Sequence, residues 1–190
     1  MVRNPIDVAV SQFFQWKYRM RPEKKAMNKY PPHEADISVY DFVKGQDQGL
    51  AHIIEFLNNW ARELPNIENV LVVRYEDMRK DPGAVLADPE QEMARIVEFL
   101  GMEPNADYLR DTAEFASVEN LRKKEQDNYF WRSGSRVQAK DVNDPNTFKV
   151  RKAKVGGYRD YFDDDQVAEL NAMVDSRLLP VFGYTSAEAG

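Results

Sequence analysis

Cysteine is absent from the chain, and histidine occurs only twice, as His33 and His52. The first absence removes disulfides, thiol nucleophiles and cysteine-ligated metals, and it fits a reducing, cytoplasmic compartment. The second leaves two imidazoles far apart in sequence, so no metal site is expected. No run of about 18 apolar residues occurs, so no membrane span is expected. The first five residues lack the basic-then-apolar pattern of a signal peptide. Positive charge is in deficit, with 26 Lys and Arg against 32 Asp and Glu, a net charge of −6. An acidic protein repels phosphate backbones, which excludes general nucleic-acid binding but not a local site for a small anion. Internal repeats and low-complexity stretches are missing as well.

What is present suits one soluble domain spanning residues 1–190. Hydrophobic residues make up 43% and charged residues 31% of the 190, and a chain of this length buries roughly 70% of its unfolded surface. Pro5 stands where proline suits a first helical turn, with Asp7 near that helix's positive end, so residues 6–16 read as a buried helix. Residues 17–32 turn basic and proline-punctuated and read as a helix end followed by an exposed loop. Leu50, Ile53, Ile54, Leu57, Trp60, Ala61 and Leu64 recur at helical spacing until Pro65 ends the run. Val70-Leu71-Val72-Val73 is the best strand, its continuous apolar run suiting a buried parallel position, and Met1-Val2-Arg3 reads as the end of another. Further helices carry Met93, Ile96, Val97 and Leu100 before Gly101, span residues 105–125, and start at Asp163 with Gln166 in a capping box. Residues 126–150 read as irregular. Many helices with so little strand describe an α/β protein short of its first strands.

Three segments carry chemistry. In Arg3-Asn4-Pro5-Ile6-Asp7, with Ser11 further on, a forked cation, a hydroxyl and a helix N-terminus can converge on one anion. In Val73-Arg74-Tyr75-Glu76-Asp77 a strand leads into an aromatic and two acids. In Arg151-Lys152-Ala153-Lys154-Val155-Gly156-Gly157-Tyr158, cations and backbone N–H groups can surround a phosphate. Taken singly, each has a plainer reading, as a helix cap, a packing tyrosine and an exposed basic loop. Their joint occurrence in this order is the signal.

Together these segments resemble the sulfotransferases that use 3′-phosphoadenosine 5′-phosphosulfate (PAPS), of the cytosolic type and its bacterial relatives. That family has an Arg-x-Pro-x-Asp-like segment with a serine eight positions after the arginine, the spacing of Arg3 and Ser11. It has a Tyr-Glu-Asp turn after a buried strand, matched by Tyr75-Glu76-Asp77 with Arg79-Lys80-Asp81-Pro82 following, and a late Arg-Lys-Gly-x-x-Gly-Asp-Trp segment, matched from Arg151. The resemblance implies an α/β, P-loop-NTPase-like sulfotransferase fold, helix-rich and N-terminally incomplete with few remaining parallel strands, as one partial domain over 1–190. It implies that Arg3, Ser11, Arg151, Lys152 and the backbone of Ala153 hold the 3′-phosphate. Tyr75 would meet the adenine, and Ser117, in the stretch Ala116-Ser117-Val118, would line the base. PAPS would be the cosubstrate, with adenosine 3′,5′-bisphosphate as product and a small-molecule or glycan hydroxyl or amine as acceptor.

The departures from the family pattern set further expectations. The family's 5′-phosphosulfate loop and its proton-accepting histidine precede the Arg3 segment by many residues, whereas this chain begins two residues before Arg3. No catalytic residue is therefore assigned, and the chain alone is not expected to turn over. His33 reads as acceptor-side or exposed, and His52 as structural. Ala153 replaces a glycine, which is tolerable only at negative φ. The animal-type dimer motif, which would fall on Arg159, Asp163, Asp164 and Ala168, is absent. The rival expectations are a non-catalytic nucleotide-binding or interaction remnant of such an enzyme and, with less support, a helical adaptor.

Overall fold

The computed structural model describes residues 1–79, 88–132 and 138–186; Lys80, Asp81 and Pro82 of the basic turn lie outside them. Among the described residues eight α-helices form: α1 (Pro5–Phe14), α2 (Pro22–Met27), α3 (Val39–Lys44), α4 (Leu50–Glu63), α5 (Pro89–Phe99), α6 (Ala106–Phe115), α7 (Val118–Gln126) and α8 (Asp164–Arg177). The chain divides into two compact units, one of Val2–Val70 with Gly156–Gly190, the other of Leu71–Val155 with Met1.

In the first unit α1 begins at a complete cap. The Asn4 side chain accepts N–H groups from Ile6 at 3.0 Å and Asp7 at 3.3 Å, and Pro5 occupies the first helical position, where it needs no donor. The helix continues as a wider π-type turn over Gln15–Arg19. α1 packs on α3 and α4 through an aromatic cluster in which Phe13 lies 5.4 Å from Phe42, and Trp16 5.2 Å from Phe42. Leu50, Ile53, Ile54, Leu57 and Ala61 bury one face of α4, while Trp60, at the edge of that stripe, is nearly half exposed. Gly49 is required at the turn into α4, because a Cβ there would meet the Val43 carbonyl oxygen at 2.3 Å. Residues 17–32 are not simply a loop. Pro22 starts α2 rather than breaking a helix, and Lys25 is buried, its Nζ 5.0 Å from the Trp16 ring centre and 2.9 Å from His33 Nδ1. His52 is exposed on α4, so the packing role expected for it is not found. At the far end of the chain α8 opens with the expected Asp163–Gln166 capping box.

In the second unit the expected helix over 105–125 is two helices. The break falls at Ser117, whose hydroxyl caps α7 by accepting the Asn120 N–H at 3.3 Å. Gly101 follows α5 at φ +77°, a left-handed helix end that suits glycine. α5 packs on α6 and on the short turn Glu76–Met78, and α6 on α7. No strand forms at 70–73 or at 1–3 among the described residues, where Val2 and Arg74 are only isolated bridge positions, so the strand expectation is not met. The run is not in the buried position expected of it: Val70 is exposed, Leu71 and Val72 are half-buried and Val73 alone of the four is buried, while the Val72 carbonyl accepts the Arg95 guanidinium of α5 at 2.8 Å. The irregular stretch before the basic segment is tied by Thr147, whose buried hydroxyl donates to the Asp141 carbonyl at 2.6 Å.

The first unit's long-range staple is Asn58 on α4. Its amide donates to the Arg177 carbonyl at 2.7 Å and accepts the Leu179 N–H at 2.8 Å, where α8 ends. Asn58→Ala leaves both backbone groups unsatisfied and is expected to cost about 2–3 kcal/mol, read from urea unfolding. A loss below about 0.5 kcal/mol would show that water replaces the staple.

Candidate functional site

The first unit holds Arg3, Ser11 and Asp7. Asp7 sits in the first turn of α1, and its carboxylate is buried. It accepts the Gly156 N–H at 2.9 Å and the Tyr158 N–H at 2.9 Å, and Arg3 Nη2 lies 3.5 Å away. Burial raises the Asp7 pKa above its ordinary value; Arg3 and the two N–H groups pull against that without cancelling it. Sequence reasoning placed Asp7 only as a charge near a helix end, whereas the structure makes it the tie that holds residues 156–158. Ser11 lies two turns along α1, with an exposed side chain.

The second unit holds Tyr75, Ser117, Arg151, Lys152 and Ala153. Tyr75 precedes the Glu76–Met78 turn, its hydroxyl donating to the Ala153 carbonyl at 3.5 Å and its ring 5.8 Å from the Arg79 guanidinium. Ser117 and Lys152 line one cavity of about 660 Å³ with Arg79, Lys154, Met78 and Met93. Three glutamates, Glu90, Glu114 and Glu119, share its wall with four cations, Arg79, Arg110, Lys152 and Lys154, so its charge is mixed. Arg151 is fixed through its backbone: its carbonyl accepts Arg122 Nη1 of α7 at 3.2 Å. One turn further along α7, buried Glu125 accepts the Lys149 N–H at 2.6 Å and the Val150 N–H at 3.0 Å. Neither Arg122 nor Glu125 stood out in the sequence, where both fell within the stretch 105–125 read as helical. Ala153 stands at φ +50°, contrary to the negative φ expected for it. The ties on the preceding residues hold an alanine where glycine is at ease.

Among the described residues no group of three His, Asp or Glu side chains is placed to hold a metal ion, and no helix is long and apolar enough to cross a membrane. Of the expected site residues, Ser117 and Lys152 line the second unit's cavity, whose volume lies within the range of small-molecule sites.

A family profile described as the sulfotransferase domain matches residues 1–180 and runs across both units. The chain belongs to the sulfotransferase family. Its relatives include cytosolic sulfotransferase 14 of Arabidopsis thaliana, 27% identical over 94% of this chain and 47% of the relative. Flavonol 3-sulfotransferase of Flaveria bidentis is 25% identical over 93% of this chain and 53% of its own length. Sulfotransferase 2A2 of Rattus norvegicus is 29% identical over 68% and 40% respectively. The chain spans about half the length of the curated relatives it matches. No solved structure gives a significant match.

Two outcomes follow from this geometry. Because the native pKa of Asp7 is raised, the folded state retains a proton that the unfolded state releases above its ordinary 3.8. Asp7's contribution to stability is therefore fullest below that value and declines as pH rises through the native pKa. Melts of the wild type and Asp7→Asn across pH 3–7 read this as a gap that moves against the wild type with rising pH; a gap moving the other way contradicts the burial argument. Separately, Ala153→Gly relieves the left-handed backbone and is expected to stabilise by about 0.5–1 kcal/mol in denaturant unfolding. A loss of stability would mean the alanine is not strained.

Proposed function

We propose that this chain supplies the 3′-phosphoadenosine-binding part of a PAPS-dependent sulfotransferase, its two units acting as parts of one α/β, P-loop-like domain. The observation that carries the reading is the anchored basic segment. Arg151 has its carbonyl tied to α7, and Lys152 lines the cavity shared with Ser117, Arg79 and Lys154. Arg3 and Ser11 are assigned to the 3′-phosphate with Arg151, Lys152 and the Ala153 backbone, Tyr75 to the adenine, and Ser117 to the edge of the base. A 3′-phosphate carries nearly two charges, and forked guanidinium donors with backbone N–H groups offset its desolvation.

The reaction of such a site is in-line transfer. An acceptor hydroxyl or amine forms a bond to sulfur as the bond from sulfur to the 5′-phosphate oxygen breaks, adenosine 3′,5′-bisphosphate leaves, and the acceptor's proton passes to a base. By analogy with phosphoryl transfer, the protein's part is positioning and charge stabilisation. This chain's residues are given the nucleotide end of that work and no catalytic role. His52 is exposed and His33 faces Lys25, and neither is assigned the proton. The cytosolic names of two plant relatives support a cytoplasmic location.

Adenosine 3′,5′-bisphosphate at 100 times its Kd should stabilise the protein by about 2.7 kcal/mol, a melting shift of about 5–10 °C. Arg151→Ala should remove most of the shift and Lys24→Ala, on exposed surface, should leave it. Equal shifts from the bisphosphate and from adenosine 5′-monophosphate would exclude a formed 3′-phosphate site.

A further inference from the structure

A loop bearing Arg151 and Lys152 attracts any phosphate by charge alone. Selecting a phosphate at one position of a nucleoside demands more: the cations must stand at a fixed place relative to whatever meets the base. Exposed basic loops do not meet that demand, because long cationic side chains on mobile backbone follow the anion wherever it lies.

In the second unit this backbone is held, and helix α7 holds it. Glu125 is buried and accepts two consecutive N–H groups, those of Lys149 and Val150, immediately before Arg151. A buried carboxylate is costly unless its lone pairs are engaged, so this tie resists opening. Arg122, one turn earlier and on the same face, donates to the carbonyl of Arg151 itself, and its guanidinium lies 5.4 Å from the ring centre of buried Phe148. The same helix begins at Ser117, on the wall of the cavity that Lys152 also lines. Nine residues of helix, about 13 Å long, therefore connect the wall at Ser117 to the anchor of the basic loop as one rigid element.

We propose that Glu125 and Arg122 are positioning residues that give Arg151 and Lys152 their selectivity for a 3′-phosphate, with α7 setting the spacing between base and phosphate. This inference rests on the reading of the loop as the 3′-phosphate site. Neither residue touches the nucleotide in this account; each acts through backbone it holds.

The test is a ratio of dissociation constants for adenosine 3′,5′-bisphosphate and adenosine 5′-monophosphate, measured by calorimetry well below each variant's melting temperature. The wild type should prefer the bisphosphate strongly. In Glu125→Gln one amide oxygen can still accept an N–H, but the amide nitrogen faces the other donor. The preference should fall at least tenfold, while the monophosphate constant stays within about twofold. Arg122→Met keeps much of the length and apolar packing of the side chain and removes its donors and its charge, so it decides the matter should Glu125→Gln fold poorly; its preference should fall several-fold. A purely structural role predicts lower melting temperatures with an unchanged ratio, and that result overturns the inference while leaving the site reading intact. No preference in the wild type itself would overturn the site reading, and this inference with it.

Discussion

Among the described residues two carboxylates, Asp7 and Glu125, are withheld from water, and both face backbone N–H groups of one basic segment. Glu125 accepts from residues 149 and 150, and Asp7 accepts from residues 156 and 158. Each tie lies within its own unit, and each flanks the stretch that carries Arg151, Lys152 and Ala153. A carboxylate offers several acceptor positions, so one side chain can fix two successive or near-successive peptide groups. That is a stronger constraint than a side chain capping its own helix. The cost is desolvation, visible at Asp7 as a raised pKa. The unusual backbone at Ala153 fits this picture, since a left-handed alanine persists only where its surroundings over-determine it.

Asp7 and Glu125 turn two of the acids of this chain, of net charge −6, to backbone N–H groups instead of to water. Arg79, Arg110, Lys152 and Lys154 line one cavity of the second unit together with Glu90, Glu114 and Glu119, and Arg110 is paired with Asp107. The helical architecture supplies the rigidity. α7 connects the Ser117 cap to the anchor at Glu125, and the Glu76–Met78 turn beside α5 carries Tyr75 and Arg79.

Much of this was legible in the sequence, for reasons that can be traced. The helices with caps and breakers were readable from Pro5, Gly101 and the Asp163–Gln166 box, because capping is local chemistry. Ser117 split one expected helix into two, since a serine cap inside an apolar-periodic run looks like any exposed position. The run at 70–73 looked like a buried strand from its β-branched composition, yet only Val73 of the four is buried, because such composition reports neither pairing nor burial by itself. Pro22 was taken for punctuation, although proline at a first turn opens a helix as readily as it ends one. Family membership was readable because the types and order of the motif residues are distinctive. Their supports were not: Asp7, Arg122 and Glu125 act on backbone distant in sequence, and no spacing rule encodes which peptide groups a buried carboxylate will hold.

The anchored segment is proposed to recognise phosphate by its position on the nucleoside, not by charge alone. Calorimetric titration with adenosine 3′,5′-bisphosphate and adenosine 2′,5′-bisphosphate compares two ligands of equal charge and composition. The account predicts that the 3′,5′ isomer binds at least tenfold tighter, a difference of about 1.4 kcal/mol. Equal affinity for the two isomers would contradict it.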